Sequence, residues 1–340
     1  MSQIAMHALI GRASAGEDLA EDEMSHAIDG IMRGQWVASD IAMLLTALRH
    51  KGESASEVAG AARAMRQHMT AIRSARPDLV DTCGTGGDGS STFNISTAAA
   101  LVTAAAGVPV AKHGNRRVSS RSGSADVLEE LGVNIAADVP TVERCLDKLG
   151  ICFCFAPLLH GAMKQVAEVR ASLGVPTIFN LLGPLSNPAG APFQLLGVGR
   201  SELRPLLADV LARLGIRRAL VVRGDDGLDE VTLAGTTQVT EVRDTVFESF
   251  TWRPEDFGLM TTALDALKVD GPHASAAMIR DILSGKRGPA RDIVIANAAA
   301  ALWLVGKRDT PRDAAALAAE AIDTGAASDL LSRLGEMSHS

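Results

Sequence analysis

Apolar residues near the start of the chain recur at three- and four-residue intervals. Leu19, Met24, Ile28 and Ile31 fall on one stripe, and Ile41, Leu44, Leu45 and Leu48 on another. This is the period of amphipathic helices. Gly34, Gly52 and Gly60 punctuate the region, and Ser54 or Ser56 stands where a helix cap is expected. The pattern changes at Pro77. Short apolar runs at 79–83, 108–111, 134–135 and 151–155 read as strands, and 96–106, 125–131 and 142–149 read as helices between them. A further helical stretch, 160–173, would place His160 and Arg170 nearly three turns apart on one face. Gly183-Pro184 and Asn187-Pro188 break the chain there. A strand at 219–222 and a strongly apolar helix at 291–305 resume the alternation.

Strands alternating with helices predict a mainly parallel sheet covered by helices. The expected fold class is α/β, with a small all-helical domain and a large domain whose mainly parallel central sheet is flanked by helices. The small domain is expected over 1–73, with 160–190 returning to it. The large domain is expected over 74–159 and 191–340.

Charge and composition narrow the function. A net charge of -7 argues against nucleic acid as a partner, because broad binding needs basic surface to displace counterions. The segment 17–23 is acidic rather than a basic, apolar leader, and the long uncharged stretch 95–111 is interrupted by Gly107 and Pro109. No membrane partner is therefore expected. Cys83, Cys145, Cys152 and Cys154 make no C-x-x-C pair. They read as reduced thiols, which suits a cytoplasmic protein.

Three loops carry the candidate chemistry. In the first, 81–97, a strand enters, glycines turn and a helix leaves. Glycine lets backbone N–H groups approach an anion, and a helix N-terminus adds partial positive charge. Gly84-x-Gly86-x-x-Gly89 formally matches a dinucleotide fingerprint. However, the helix starts too late, and Lys112 and His113 stand where an acid is required. A plain glycine turn is the competing reading. The second loop, 112–124, gathers Lys112, Arg116, Arg117 and Arg121 with several hydroxyls, an inventory suited to a diphosphate. A solvated basic loop is its alternative. The third, 223–230, sets carboxylates at a strand end. That suits Mg²⁺, which takes one or two carboxylates plus waters and phosphate oxygens. A surface acidic turn is its alternative.

Together the loops imply a site for a highly phosphorylated small molecule with magnesium. Arg170 adds a residue suited to holding a carboxylate, with a solvent-facing arginine as the plain alternative.

The ordered motifs GTGGDG at 84–89, NIST at 94–97, KHGNRRVSSRSGSADVLEELG at 112–132, FNLLGPLSNPA at 179–189, GLDEVTLAGTT at 227–237 and RDIVIANAAAAL at 291–302 resemble the anthranilate phosphoribosyltransferase family over nearly the whole chain. The resemblance implies transfer of a phosphoribosyl group from phosphoribosyl pyrophosphate (PRPP) to anthranilate in tryptophan biosynthesis, and a homodimer formed through the helical domain. It implies PRPP contacts at Gly84, Gly87, Asp88, Thr92, Asn94, Ile95, Ser96, Thr97, Lys112, His113, Gly114, Asn115, Arg116, Arg117, Val118, Ser119, Ser120 and Ser124. It implies anthranilate contacts at Gly84, Asn115, His160 and Arg170, and two Mg²⁺ ions per subunit at Ser96, Asp229 and Glu230. Gly161 departs from the proline expected after His160. A pyrimidine nucleoside phosphorylase-like enzyme and a non-catalytic nucleic-acid-binding relative are the alternatives. The acidic charge and the complete set of loops weigh against the second.

Overall fold

The computed structural model describes residues 3–117 and 122–340. The chain opens with four helices, α1 (Gln3–Ser14), α2 (Glu21–Met32), α3 (Ala38–Lys51) and α4 (Ala55–Gln67). The two apolar stripes read from the sequence are buried and fall on α2 and α3, except Leu19, which precedes α2. Ser54 caps α4: its hydroxyl accepts from Glu57 N–H at 3.4 Å, and Glu57 returns to Ser54 N–H at 2.8 Å. Gly34 and Gly52 end helices with positive φ. Gly60 does not end one. It lies within α4 where that helix crosses α2, and a Cβ there would stand 2.1 Å from the Glu21 carbonyl oxygen. The glycine allows close helix contact.

Seven strands follow: β1 (Val80–Gly84), β2 (Val110–Gly114), β3 (Ile151–Phe155), β4 (Phe193–Gly197), β5 (Arg218–Gly224), β6 (Thr237–Arg243) and β7 (Val246–Trp252). They form one sheet in the order β3-β2-β1-β4-β5-β6-β7. The first five are parallel, and β6 and β7 add an antiparallel hairpin at one edge. The chain steps outward from β1 to β2 and β3, then returns to place β4 on the other side of β1. That reversal opens a crevice at the carboxyl ends of the strands.

Helices α5 (Ile95–Ala105), α6 (Ser124–Glu130) and α7 (Val139–Leu149) link the first strands. The expected strand at 134–135 is absent. Two residues with no partner strand form a turn, which Ser338 fixes through Asn134 N–H at 2.9 Å. The expected continuous helix from 160 to 173 is also broken. After β3 come a single turn, α8 (Ala156–Leu159), a 3₁₀ turn at Gly161–Met163, and then α9 (Lys164–Leu173). His160 sits between them with non-helical φ −114° and ψ 53°, so His160 and Arg170 do not share a helix face.

The chain continues through α10 (Phe179–Leu182) and α11 (Leu203–Arg213), and after β7 through α12 (Pro272–Leu283), α13 (Pro289–Leu304), α14 (Pro311–Asp323) and α15 (Ala326–Ser338). Val166, Val169, Phe179 and Leu182 of α9 and α10 share one apolar core with α1–α4 and α11. Helices α5–α7 and α12–α15 contribute to the other. Successive residues of β5 alternate between the two: Ala219 and Val221 face the first, Leu220 and Val222 the second. α5 and α13 are alanine-rich and almost wholly buried.

Overpacking a tight helix crossing costs about 1–3 kcal/mol. Gly60→Ala is therefore expected to destabilise the helical region by about that amount, seen as a lower urea midpoint by circular dichroism. An unchanged midpoint would mean that the crossing has slack.

Candidate functional site

The segments following β1, β2 and β5 converge on one cavity of about 470 Å³. After β1 the chain makes no helix at once. It runs through Gly86, Gly87 and Gly89, all at positive φ, and is then pinned against 267–269 by Phe93 N–H to Leu267 O at 2.9 Å and Val269 N–H to Ser91 O at 3.0 Å. Only then does Asn94 cap α5, its side chain accepting from Thr97 N–H at 3.3 Å. This anchoring explains why the helix begins so far from Gly84. Along the loop the N–H groups of Thr85, Gly86 and Ser90 are already bonded, to Gly197 O, Asp229 Oδ2 and Asp88 Oδ1.

Of the residues singled out in the sequence, Gly84, Gly87, Asp88, Thr92, Asn94, Ile95, Ser96, Lys112, His113, Gly114, Asn115, Arg116, Ser124, Asp229 and Glu230 line this cavity. Thr97 lies behind the wall, 1% exposed, with both its N–H and its hydroxyl bonded to the Asn94 side chain. Arg117 is exposed and outside the lining, its N–H donating to Asp126 at 2.9 Å. Val118, Ser119 and Ser120 lie outside the described residues. Arg116 reaches the cavity, but its guanidinium is paired with Asp126 at 3.0 Å and Glu129 at 2.8 Å.

The floor of the cavity is dominated by charge. Gly86 N–H donates to Asp229 Oδ2 at 3.0 Å. Burial, and then the neighbouring Asp88 carboxylate, push Asp229 up to about 7. Burial and Asp229 together push Glu230 well above the usual carboxylate range, with Lys112 and the Ser96 backbone N–H pulling it back. Lys112 is itself buried, donating to Thr82 O at 2.7 Å and Ser96 Oγ at 3.1 Å. Its burial lowers it, and Asp81 and Glu230 oppose that. Asp88 Oδ2 is buried without a hydrogen-bond partner. Asp229 and Glu230, both raised by burial and neighbouring negative charge, lie beside Asp88 with its orphaned oxygen, and carboxylates so placed are donors of the type a divalent cation takes. Among the described residues no three His, Cys, Asp or Glu side chains gather closely enough to hold an ion by themselves. The remaining positions of such an ion therefore fall to water and ligand oxygens, as magnesium prefers.

Two glycines that sequence reasoning passed over shape this floor. A Cβ on Gly197 would stand 1.6 Å from the Asp229 carbonyl oxygen, and one on Gly199 would stand 2.9 Å from the Gly86 carbonyl. Their partners are loops distant in sequence, so no local pattern announces them. Cys83 also lines the cavity, with a thiol that burial pushes well up and Gln194 Nε2 holds at 3.3 Å.

His160 and Arg170 do not line the cavity. His113 Nδ1 faces Gly183 O at 3.0 Å, and its Nε2 faces His160 Nε2 at 3.1 Å. A carbonyl only accepts, so His113 carries its proton on Nδ1 and accepts at Nε2 from His160. Burial lowers His113 to about 3 and His160 to about 4, so both are neutral at pH 7. Arg170 stacks over Phe179 at 5.7 Å and touches Asn180 Oδ1 at 3.5 Å. Gly183 follows that same short helix. Arg170 is thus joined to the cavity through α10, Gly183 and His113, and burial lowers its guanidinium.

Comparison with known proteins adds an independent line. Residues 76–328 match the model described as "Glycosyl transferase family, a/b domain", and residues 7–69 match "Glycosyl transferase family, helical bundle domain". The anthranilate phosphoribosyltransferase of Moorella thermoacetica is 52% identical over 322 residues, covering 95% of each chain. That of Rhodopirellula baltica is 50% identical over 327 residues, covering 96% of each. The crystal structure of the Thermus thermophilus enzyme superposes with a TM-score of 0.92 at 44% identity, covering 98% of this chain and 99% of that one. The Saccharomyces cerevisiae enzyme in complex with PRPP and Mg superposes at 0.90 with 28% identity, covering 99% of each.

Gly197→Ala is expected to push the Asp229 turn out of place and weaken binding of magnesium pyrophosphate at least roughly tenfold by calorimetry. Retained affinity would show that the turn can shift without cost.

Proposed function

This chain belongs to the anthranilate phosphoribosyltransferases, and from that membership we propose how its own residues carry the reaction. It transfers the phosphoribosyl group of PRPP to anthranilate, giving N-(5-phosphoribosyl)anthranilate and pyrophosphate in tryptophan biosynthesis. Relatives of about half identity over nearly the full chain leave no room for the phosphorylase or nucleic-acid-binding alternatives. The observation that carries the assignment of residues is the convergence of three separated loops on one cavity.

PRPP is taken by the glycine loop and the loop after β2. On one side Gly87 offers its N–H, Thr92 and Ser96 their hydroxyls and Asn94 its side-chain amide, with Gly84 and Ile95 shaping the wall, and His113, Gly114, Asn115, Arg116 and Ser124 form the other side. Lys112 supplies positive charge from beneath, and Asp88 faces the carboxylates of Asp229 and Glu230. Thr97, one layer behind, acts on PRPP through Asn94. Arg117, Val118, Ser119 and Ser120 complete the second loop in this reading. Asp229 and Glu230 with Ser96 would hold magnesium, two ions per subunit. Mg²⁺, when bound, offsets the negative charge that gathers on departing pyrophosphate. The remaining backbone N–H groups of the glycine loop act on the same charge and are fixed before reaction, so they stabilise the transition state more than the ground state.

The bond from ribose C1 to pyrophosphate breaks as the anthranilate nitrogen attacks, with oxocarbenium character at C1 by analogy with glycosyl transfer. An aromatic amine is neutral at pH 7, so no strong general base is required and none is assigned. Gly84 and Asn115 border the acceptor from the PRPP side. Arg170, with His160 linking its helix to His113, holds the carboxylate and orients the nitrogen. Among the described residues Arg170 has no carboxylate partner of its own, which supports that role.

The helical domain is taken as 1–73 with 160–190 returning to it, because α9 and α10 share the core of α1–α4. The large domain is 74–159 with 191–340. A cytoplasmic homodimer through the helical domain completes the reading. Val37 and Met43, 54% and 45% exposed on that domain, supply apolar surface for it. Among the described residues no helix is long and apolar enough to cross a membrane.

Loss of anthranilate fluorescence is expected only when PRPP and Mg²⁺ are both present; consumption without PRPP would overturn the assignment. Arg170→Ala should raise the anthranilate KM by roughly tenfold or more and leave the PRPP KM within about twofold, as expected for loss of a charged hydrogen bond to one substrate. An unchanged anthranilate KM would remove the carboxylate role. Asp229→Asn combined with Glu230→Gln should abolish magnesium-dependent turnover, and full activity at ordinary Mg²⁺ would remove both as ligands.

A further inference from the structure

The turn carrying Asp229 and Glu230 is gripped from the far side by a helix. Asn297 of α13 is wholly buried and directs its amide at Val231, the next residue along. Oδ1 accepts from Val231 N–H at 2.9 Å, and Nδ2 donates to Val231 O at 2.9 Å. The second Nδ2 hydrogen goes to Ile293 O at 2.9 Å in the same helix. The amide pairs with both backbone groups of one residue, as an adjacent strand would.

Packing alone does not account for this. Asparagine is a weak helix former, and burying an amide is costly unless it is bonded. Its helix neighbours Val294, Ile295, Ala296, Ala298 and Ala299 are all apolar and buried. A single amide in that setting directs two of its three bonds to Val231. Gly197 leaves just enough room for the Asp229 carbonyl, two residues earlier in the turn. The acidic turn is therefore held by a backbone surface and an amide clamp.

We propose that Asn297 is a positioning residue for the magnesium-pyrophosphate end of the reaction. It fixes Val231, and through it the aim of the Asp229 and Glu230 carboxylates. It touches neither substrate nor metal. The inference rests on the reading above that these carboxylates hold Mg²⁺.

Asn297→Ser tests it. A helical serine can bond to the carbonyl one turn back, so the contact with Ile293 is kept while the reach to Val231 is lost. Mn²⁺ binding in the presence of PRPP is read by electron paramagnetic resonance, beside the anthranilate KM. Roughly fivefold or greater weakening of Mn²⁺ binding is expected, with the anthranilate KM within about twofold of wild type. Unchanged Mn²⁺ affinity overturns the proposal, and so does an equal loss in both readouts, which would mean general loosening. If the wild-type chain itself binds no Mn²⁺ with PRPP, the metal assignment fails rather than the clamp. Should the serine variant not fold, hydrogen exchange at the Val231 amide in the wild-type chain decides. Slow exchange supports the clamp, and exchange as fast as an exposed loop rejects it.

Discussion

Crowded negative charge is the constraint on which this structure turns. Asp88, Asp229 and Glu230 meet at the ends of the strands with Lys112 as the cation beneath them. Burial and neighbouring negative charge raise Asp229 and Glu230. The fold supports the cluster by close approach rather than by added positive charge. Gly84 and Gly197 admit the Asp229 turn, Gly86 N–H bonds to it, and Asn297 fastens the residue beyond. An arrangement strained in this way favours a multivalent cation arriving with a phosphorylated ligand. The same charges repel a bare anion that arrives without one.

Phosphate recognition is distributed differently. The loop after β1 is long because it is anchored partway by 267–269, which keeps its glycines clear of the sheet. Arg116 is already engaged by Asp126 and Glu129. In the proposed reading the site therefore relies on hydroxyls and the remaining backbone N–H groups more than its basic sequence suggests. Such donors are fixed by the fold and need little rearrangement as charge develops.

Much of this was legible in the residue pattern, and the failures have clear causes. Period and punctuation placed α5, β1, β3 and α13 within a residue or two and found the buried stripes of α2 and α3. The three loops were recognisable because their residue types are chemically unusual at such density. Gly60 was misread as a breaker because its role depends on α2, a partner that local pattern does not reveal. The run 160–173 was read as one helix because its composition is helical, yet His160 leaves the helix to meet His113. The run 134–135 was too short to be a strand without a neighbour. Gly197 and Asn297 were invisible for a related reason. Each matters only through a backbone that the tertiary fold brings close.

The link from His113 to Gly183 has a mechanical consequence. In the proposed reading the loops assigned to pyrophosphate follow strands of the sheet, whereas Arg170 rides on a helix embedded in the bundle core. On that reading the two reactants are carried by separate parts of the fold, linked by a histidine pair and one carbonyl. A slight tilt of bundle against sheet would move the acceptor nitrogen relative to the ribose while leaving the diphosphate clasp intact. Donor retention and acceptor alignment can then be tuned independently.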